Sequence, residues 1–278
     1  MSQPSFLYHY TSLDSLALIL TNRTLCFNTL INVDDIDEAE TSDMGTFGKY
    51  VYVSCWTDQS KESIAMWQMY TPNMHGVRIC MPAFPFQKHF YKAGQLFWRK
   101  DIESYINLDK LFSDNKASLA PNLPYLIPIT YTNDEDLLHP QIRRGMSLDE
   151  YCAILEGKSK RSQSGNLSYS FDSLGRFKKE EWRFQQEWRY WISMLPAGMK
   201  EVESITPKSY AGILRRLENE STPPPYERFF IELSDEAVSQ MEIVFGPRMS
   251  AAEKIMAKHL LAANGLEGKW RDSSLRIR

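Results

Sequence analysis

The chain has 278 residues, enough for one large domain or two small ones, and its 43% apolar and 24% charged residues are those of an ordinary soluble protein. A net charge of −3 removes any global electrostatic reason to bind nucleic acid, leaving only a local basic patch as a route to one. Aromatics at 13% supply ring surface for a wide sheet-based core or for a stacking pocket.

In chain order, FLYHY (6–10) reads as a short strand. Side chains alternate along it, so His9 faces away from Tyr8 and Tyr10, and the two tyrosines are expected under the helix that follows. Ser12 suits the N-cap of that helix, Leu13, Leu16, Leu18 and Leu20 its apolar face, and Asn22 its exit. TLCFN is a second strand. NVDDIDEAETSD then reads as a solvated acidic loop or short helix, with no basic residue nearby to neutralise Asp34, Asp35, Asp37 and Glu38.

KYVYVSCW (49–56) is rich in Val and aromatics and predicts a strand. SKESIAMWQMYTPNMHG predicts a helix ended by Pro72 and Gly76, and VRICMP resumes as a strand. YLIPITY (125–131) is another strand, while mobile loops are expected near 157–170 and 218–226. GRFKKEEWRFQQ reads as a charged helix running into the strand EWRYWISML. RFFIELS and MEIVFGP follow as strands, SAAEKIMAKHLLAAN as an amphipathic helix, and SSLRIR as a closing strand. No repeat or linker divides the chain. The expected fold is a single α+β domain over 1–278, with a mixed, mainly antiparallel central sheet and packed helices, in which Tyr8–Tyr10 and Trp188–Ile192 lie on neighbouring strands.

Familiar catalytic signatures are missing: no G-x-G-x-x-G after a strand, no phosphate-binding G-x-x-x-x-G-K-[ST], no H-E-x-x-H and no G-x-S-x-G. The four cysteines are scattered and read as reduced core thiols, and the five histidines have no ligand spacing, so no metal is expected. No apolar run approaches the roughly 20 residues that span a bilayer, and MSQPSF has no basic n-region. The expectation is a cytoplasmic protein with no membrane partner.

Two stretches carry chemistry. His9 would sit at the floor of a cleft and donate to a ligand hydroxyl, with Thr11 offering its hydroxyl or backbone nearby. Trp67 and Tyr70, near the end of their helix, would stack on a flat ligand. In FQQEWRYWI, Gln185 and Glu187 are two residues apart, which on a strand or extended turn places an amide and a carboxylate on one side. Arg189 and Arg183 at the same junction are the simplest salt-bridge partners for Glu187, whose other reading is a catalytic carboxylate at a strand mouth.

LYHYTSLDSLALIL, NVDDIDE, VSCWTDQSKESIAMWQMY before HGVRI, QEWRYWI and IVFGPRMS…SSLRIR together resemble a widespread bacterial family, domain of unknown function 2971. Its members read roughly YHYT…L..IL, then F-N-D-P-x-E, then S-C-F…MW..Y…G, then E-x-E-x-R, and the likeness spans nearly the whole chain. It departs in the second block, where Asp34 and Ile36 stand in for Asn and Pro. More remotely, a strand ending in H-x-T before an amphipathic helix and a short strand is similar to the opening of ADP-ribosyltransferases of the His-Tyr-Glu type. That resemblance implies NAD as substrate, His9, Tyr70 and Glu187 as catalytic residues, and Thr11, Trp67, Gln185 and Arg189 as NAD-binding residues, with Arg183 and Arg189 meeting its pyrophosphate. The expected function is an NAD-using ADP-ribosyltransferase or NAD glycohydrolase, a toxin or anti-phage effector with a nucleic-acid or protein acceptor. The alternative is a non-catalytic nucleotide- or protein-binding module with an aromatic cleft. A nuclease ranks last, because no acidic cluster outside 34–38 has metal spacing.

Overall fold

A computed structural model describes residues 3–95, 98–119, 124–159 and 166–277. Strand β1 (Phe6–Thr11) leads through Ser12 into helix α1 (Leu13–Asn22), whose first turn is capped when Ser12 Oγ accepts the Ser15 N–H. Arg23, in the left-handed region, turns the chain into β2 (Thr24–Thr29). Short 3₁₀ turns carry it to β3 (Val51–Thr57), and helix α2 (Ile64–Tyr70), capped by Ser63, precedes β4 (Val77–Pro82).

The hairpin β5 (His89–Tyr91) and β6 (Ile102–Ser104) leads to α3 (Leu108–Asp114), β7 (Ser118–Leu119), β8 (Tyr125–Pro128), β9 (Thr130–Tyr131) and α4 (Glu135–Leu138). Then come β10 (Arg143–Gly145), α5 (Leu148–Leu155), β11 (Leu167–Tyr169), β12 (Phe177–Lys178) and the long β13 (Glu187–Leu195). Helices α6 (Met199–Glu203) and α7 (Pro207–Glu218), strand β14 (Arg228–Glu232), helix α8 (Asp235–Ser239), strand β15 (Glu242–Phe245), helix α9 (Ala251–Ala263) and strand β16 (Trp270–Asp272) complete the chain.

The main sheet runs β14-β2-β3-β1-β4-β15-β16, with β13 paired along β3 and carrying β7 and β8. Its pairings are antiparallel except β15–β16, and the separate β9–β12 pair is also parallel. This is the expected α+β architecture. One face carries the largest core, in which Leu7, Tyr52, Trp56, Ile79 and Tyr190 pack with Leu16, Ile19 and Leu20 of α1. The alternating residues build two smaller clusters on the other face, one around Tyr50, Val53 and Trp191 and one around Tyr10, Met66 and Trp67.

Several local expectations change. β1 and β13 are not neighbours, because β3 lies between them. Tyr8 and Tyr10 do point away from His9, but Tyr10 packs under α2 and not under α1. Alternation puts α1 on the His9 face, and Tyr10 meets Trp67 edge-on with centroids 4.9 Å apart. Leu18 is 63% exposed, since at helical spacing it faces away from Leu16 and Leu20.

The charged stretch before β13 is a short strand plus a 3₁₀ turn (Glu180–Gln185). The closing strand is Trp270–Asp272, before SSLRIR. Within 157–170, residues 167–169 pair with β10, and 160–165 lie outside the described residues. The irregular segment after α7 is tied by Lys49, whose Nζ donates to the carbonyls of Asn219, Glu220 and Thr222 at 3.1, 2.8 and 2.8 Å. Among the described residues, no helix is long and apolar enough to cross a membrane.

Candidate functional site

The edge of β3 that faces β1 and β2 is shared unequally between them. Near one end Thr57 pairs with Tyr8 of β1; near the other, Tyr52 and Val53 pair with Thr29 and Asn28 of β2. Between these points Ser54, Cys55 and Trp56 have neither strand beside them, and a cavity of about 540 Å³ opens in the gap. Residues of β1, α1, β2, β3, α2, β12–β13 and β14 line it. His9, Thr11, Tyr70, Gln185, Glu187 and Arg189 are all among them. Trp67 is not. It is fully buried, and its indole N–H donates to Glu62 at 3.1 Å, so it belongs to the core under α2 and not to a stacking surface.

Cys55 is the reason His9 sits where it does. Glu187 directs its own backbone groups toward Ile129 and Tyr131, so alternation along β13 leaves Arg189, and with it Cys55 opposite, outside the β3–β13 hydrogen bonds. The Cys55 carbonyl thus faces the gap, where His9 Nδ1–H donates to it at 2.8 Å. A carbonyl can only accept, so Nδ1 carries the proton, and burial lowers the imidazole pKa below its ordinary value. In that neutral tautomer Nε2 holds a lone pair and has no protein partner among the described residues. The expected donor is therefore corrected: His9 offers the cleft an acceptor for a ligand hydroxyl.

Deeper in the cleft, Tyr70, Gln185, Lys178, Glu187, Arg189 and Glu38 form a chain of contacts. Gln185 Nε2 donates to the Tyr70 hydroxyl, and Gln185 Oε1 accepts from Lys178 Nζ at 3.0 Å. Burial, and then the nearby Asp34 carboxylate, keep the Tyr70 phenol neutral by pushing its pKa far up. Lys178 also lies 3.0 Å from Glu187 Oε2 and 3.2 Å from Glu38 Oε1. Arg189 meets Glu187 through Nε at 2.5 Å and grips Glu38 with both terminal nitrogens. Burial alone would raise the Glu187 pKa, but Arg189 and Lys178 outweigh it and hold the carboxyl at about 2. Two carboxylates and two cations, all buried, make a cluster with no net charge.

Gln185 and Glu187 do converge, on Lys178, though not by strand alternation. The residue between them, Gln186, is left-handed (φ 41°) and turns the 3₁₀ segment into β13. The acidic segment departs furthest from expectation. Asp35 and Glu38 are 7% and 6% exposed, Glu38 is neutralised by Lys178 and Arg189, and Asp37 pairs with Lys179 at 2.5 Å. Asp34 lines the cavity, as does Lys178. Asp34 and Lys178 on the cavity lining, and Glu38 in the buried cluster behind it, are not singled out by any local pattern in the sequence, since their partners lie far along the chain.

The arginines also exchange roles. Arg189 is fully sequestered by carboxylates, and Arg183 pairs with Glu180 outside the cavity lining, so neither is open to a pyrophosphate. Arg228 of β14 is the lining arginine that reaches solvent. Among the described residues, no three His, Cys, Asp or Glu side chains gather as a metal site would require. No protein-family model, curated protein or solved structure matches the chain.

Proposed function

We propose that the cleft takes NAD and breaks its nicotinamide–ribose bond, acting as a glycohydrolase or as an ADP-ribosyltransferase toward a nucleic-acid or protein acceptor. The observation that carries this reading is the convergence of His9, Tyr70 and Glu187, from three segments distant in sequence, on one cavity. The His-Tyr-Glu resemblance, an analogy of pattern, supports the same reading. His9 Nε2 accepts a ribose hydroxyl and fixes the sugar, and the Tyr70 ring lies against the nicotinamide. As the bond breaks, nicotinamide leaves with the electron pair, and the ribosyl carbon develops oxocarbenium character facing the ionised Glu187. Water or an acceptor hydroxyl then attacks that carbon. Asp34, a lining carboxylate outside the buried ion-pair cluster, is the base available for the released proton. The unpaired thiols of Cys26, Cys55, Cys80 and Cys152 suit a reducing compartment, and we place the protein in the cytoplasm, as a toxin or anti-phage effector.

One observation favours a second reading, a non-catalytic nucleotide-binding module. Both Glu187 oxygens already carry ion pairs, which spread the charge that an oxocarbenium ion would draw on. Nicotinamide release from NAD by the purified chain, with and without DNA, RNA or cell lysate, separates the two. Release that His9→Ala abolishes supports the enzyme. NAD binding without release under every condition supports the module.

A further inference from the structure

The outer wall of the cleft is a feature that the proposed chemistry leaves unused. Edge strand β14 pairs with β2 in a register that sets Arg228 opposite Asn28 and Phe230 opposite Cys26. These four residues therefore share one face, and all four line the cavity. Arg228 is exposed and has no hydrogen-bond or ion-pair partner among the described residues. Phe230 is 48% exposed, and Leu18 of α1, which also lines the cavity, is 63% exposed. An exposed ring, an exposed leucine and an unengaged guanidinium on the lining of one cavity, itself more apolar than polar, ask for a ligand that is flat at one end and anionic beside it.

We infer that this wall is the adenylate subsite of the cleft, with Arg228 taking a phosphate and Phe230 stacking on the adjoining base; the assignment rests on the nucleotide reading above. A guanidinium binds phosphate oxygens through paired N–H donors, and an aromatic ring accepts the π-face of a base at little conformational cost. The inner His9–Glu187 end is then left for the ribose that carries the leaving group.

The test is calorimetric titration of the full chain with ADP-ribose and with adenosine, in wild type, Arg228→Gln and Phe230→Ala. Both residues are exposed on an edge strand, so melting temperatures should be unchanged. Arg228→Gln should weaken ADP-ribose about tenfold or more, the scale of one lost charge-assisted contact, and leave adenosine unaffected. Phe230→Ala should weaken both ligands, by about tenfold. Equal ADP-ribose affinity in wild type and Arg228→Gln overturns the subsite, as does a wild type that binds neither ligand. Nicotinamide release from NAD, measured in parallel, keeps the two ideas apart. Release with a KM unchanged by Arg228→Gln sinks the subsite and spares the enzyme. Arg228-dependent ADP-ribose binding without release spares the subsite and sinks the enzyme.

Discussion

At His9 a side chain satisfies a carbonyl that a neighbouring strand would otherwise reach, and this ties the imidazole's protonation to the shape of the cleft. Burial lowers its pKa from the ordinary 6.5. Below about 6.5 the unfolded chain takes up a proton that the folded chain resists, so the stability associated with neutral His9 is present above that pH and is lost as pH falls through the folded value. The same protonation removes the Nε2 acceptor. Urea midpoints at about pH 7.5 and pH 5.5 should therefore fall more in wild type than in His9→Asn, whose amide does not titrate. An equal fall in both proteins would remove His9 from the pH response.

The strand and helix that flank the cleft divide the work of the two tyrosines. Tyr10 is 3% exposed, meets Trp67 edge-on, and accepts the Ser63 N–H on its hydroxyl at 3.0 Å, which joins β1 to the cap of α2. Tyr8 is half-buried and lies under the Arg78 guanidinium, 3.9 Å from the ring centroid. Tyr10→Ala should cost about 3–5 kcal/mol, as truncation of a buried aromatic does. Tyr8→Ala should cost roughly 1–2 kcal/mol, because a partly exposed cation–π contact is what it removes. Chemical denaturation of the two variants checks the order; equal losses would refute the division. Alternation along FLYHY made the opposite facing of His9 and the tyrosines legible. The helix each face meets was not legible, because which layer covers which side depends on β4 and α2, decided far along the chain. Gly76 illustrates that dependence: a Cβ there would sit 2.5 Å from the Thr11 carbonyl, so the approach of β4 to β1 needs a residue without one.

Across the whole molecule, the buried cluster joins segments that no local pattern connects. Glu38 meets Lys178 and Arg189, 140 and 151 residues further on, so an acidic run with no nearby cation reads as solvated until the fold closes. Strand β13 and its ring-rich pattern were legible; its partners were not, since ion pairs leave no periodicity. The cluster also changes what a Glu187 variant reports. Glu187→Gln keeps the shape but leaves Lys178 and Arg189 facing Glu38 alone, one uncompensated buried charge, which should destabilise the protein by about 3–5 kcal/mol. Lys178→Met leaves the opposite imbalance and should cost a similar amount. The double variant restores neutrality through Glu38 and Arg189, so its loss should be clearly smaller than the sum of the two singles. A double-mutant cycle by denaturant unfolding checks this, and strict additivity would refute the cluster as a coupled unit. Nicotinamide release by the double variant then reports on the Glu187 carboxylate in a fold whose charge is balanced, which the single variant cannot do.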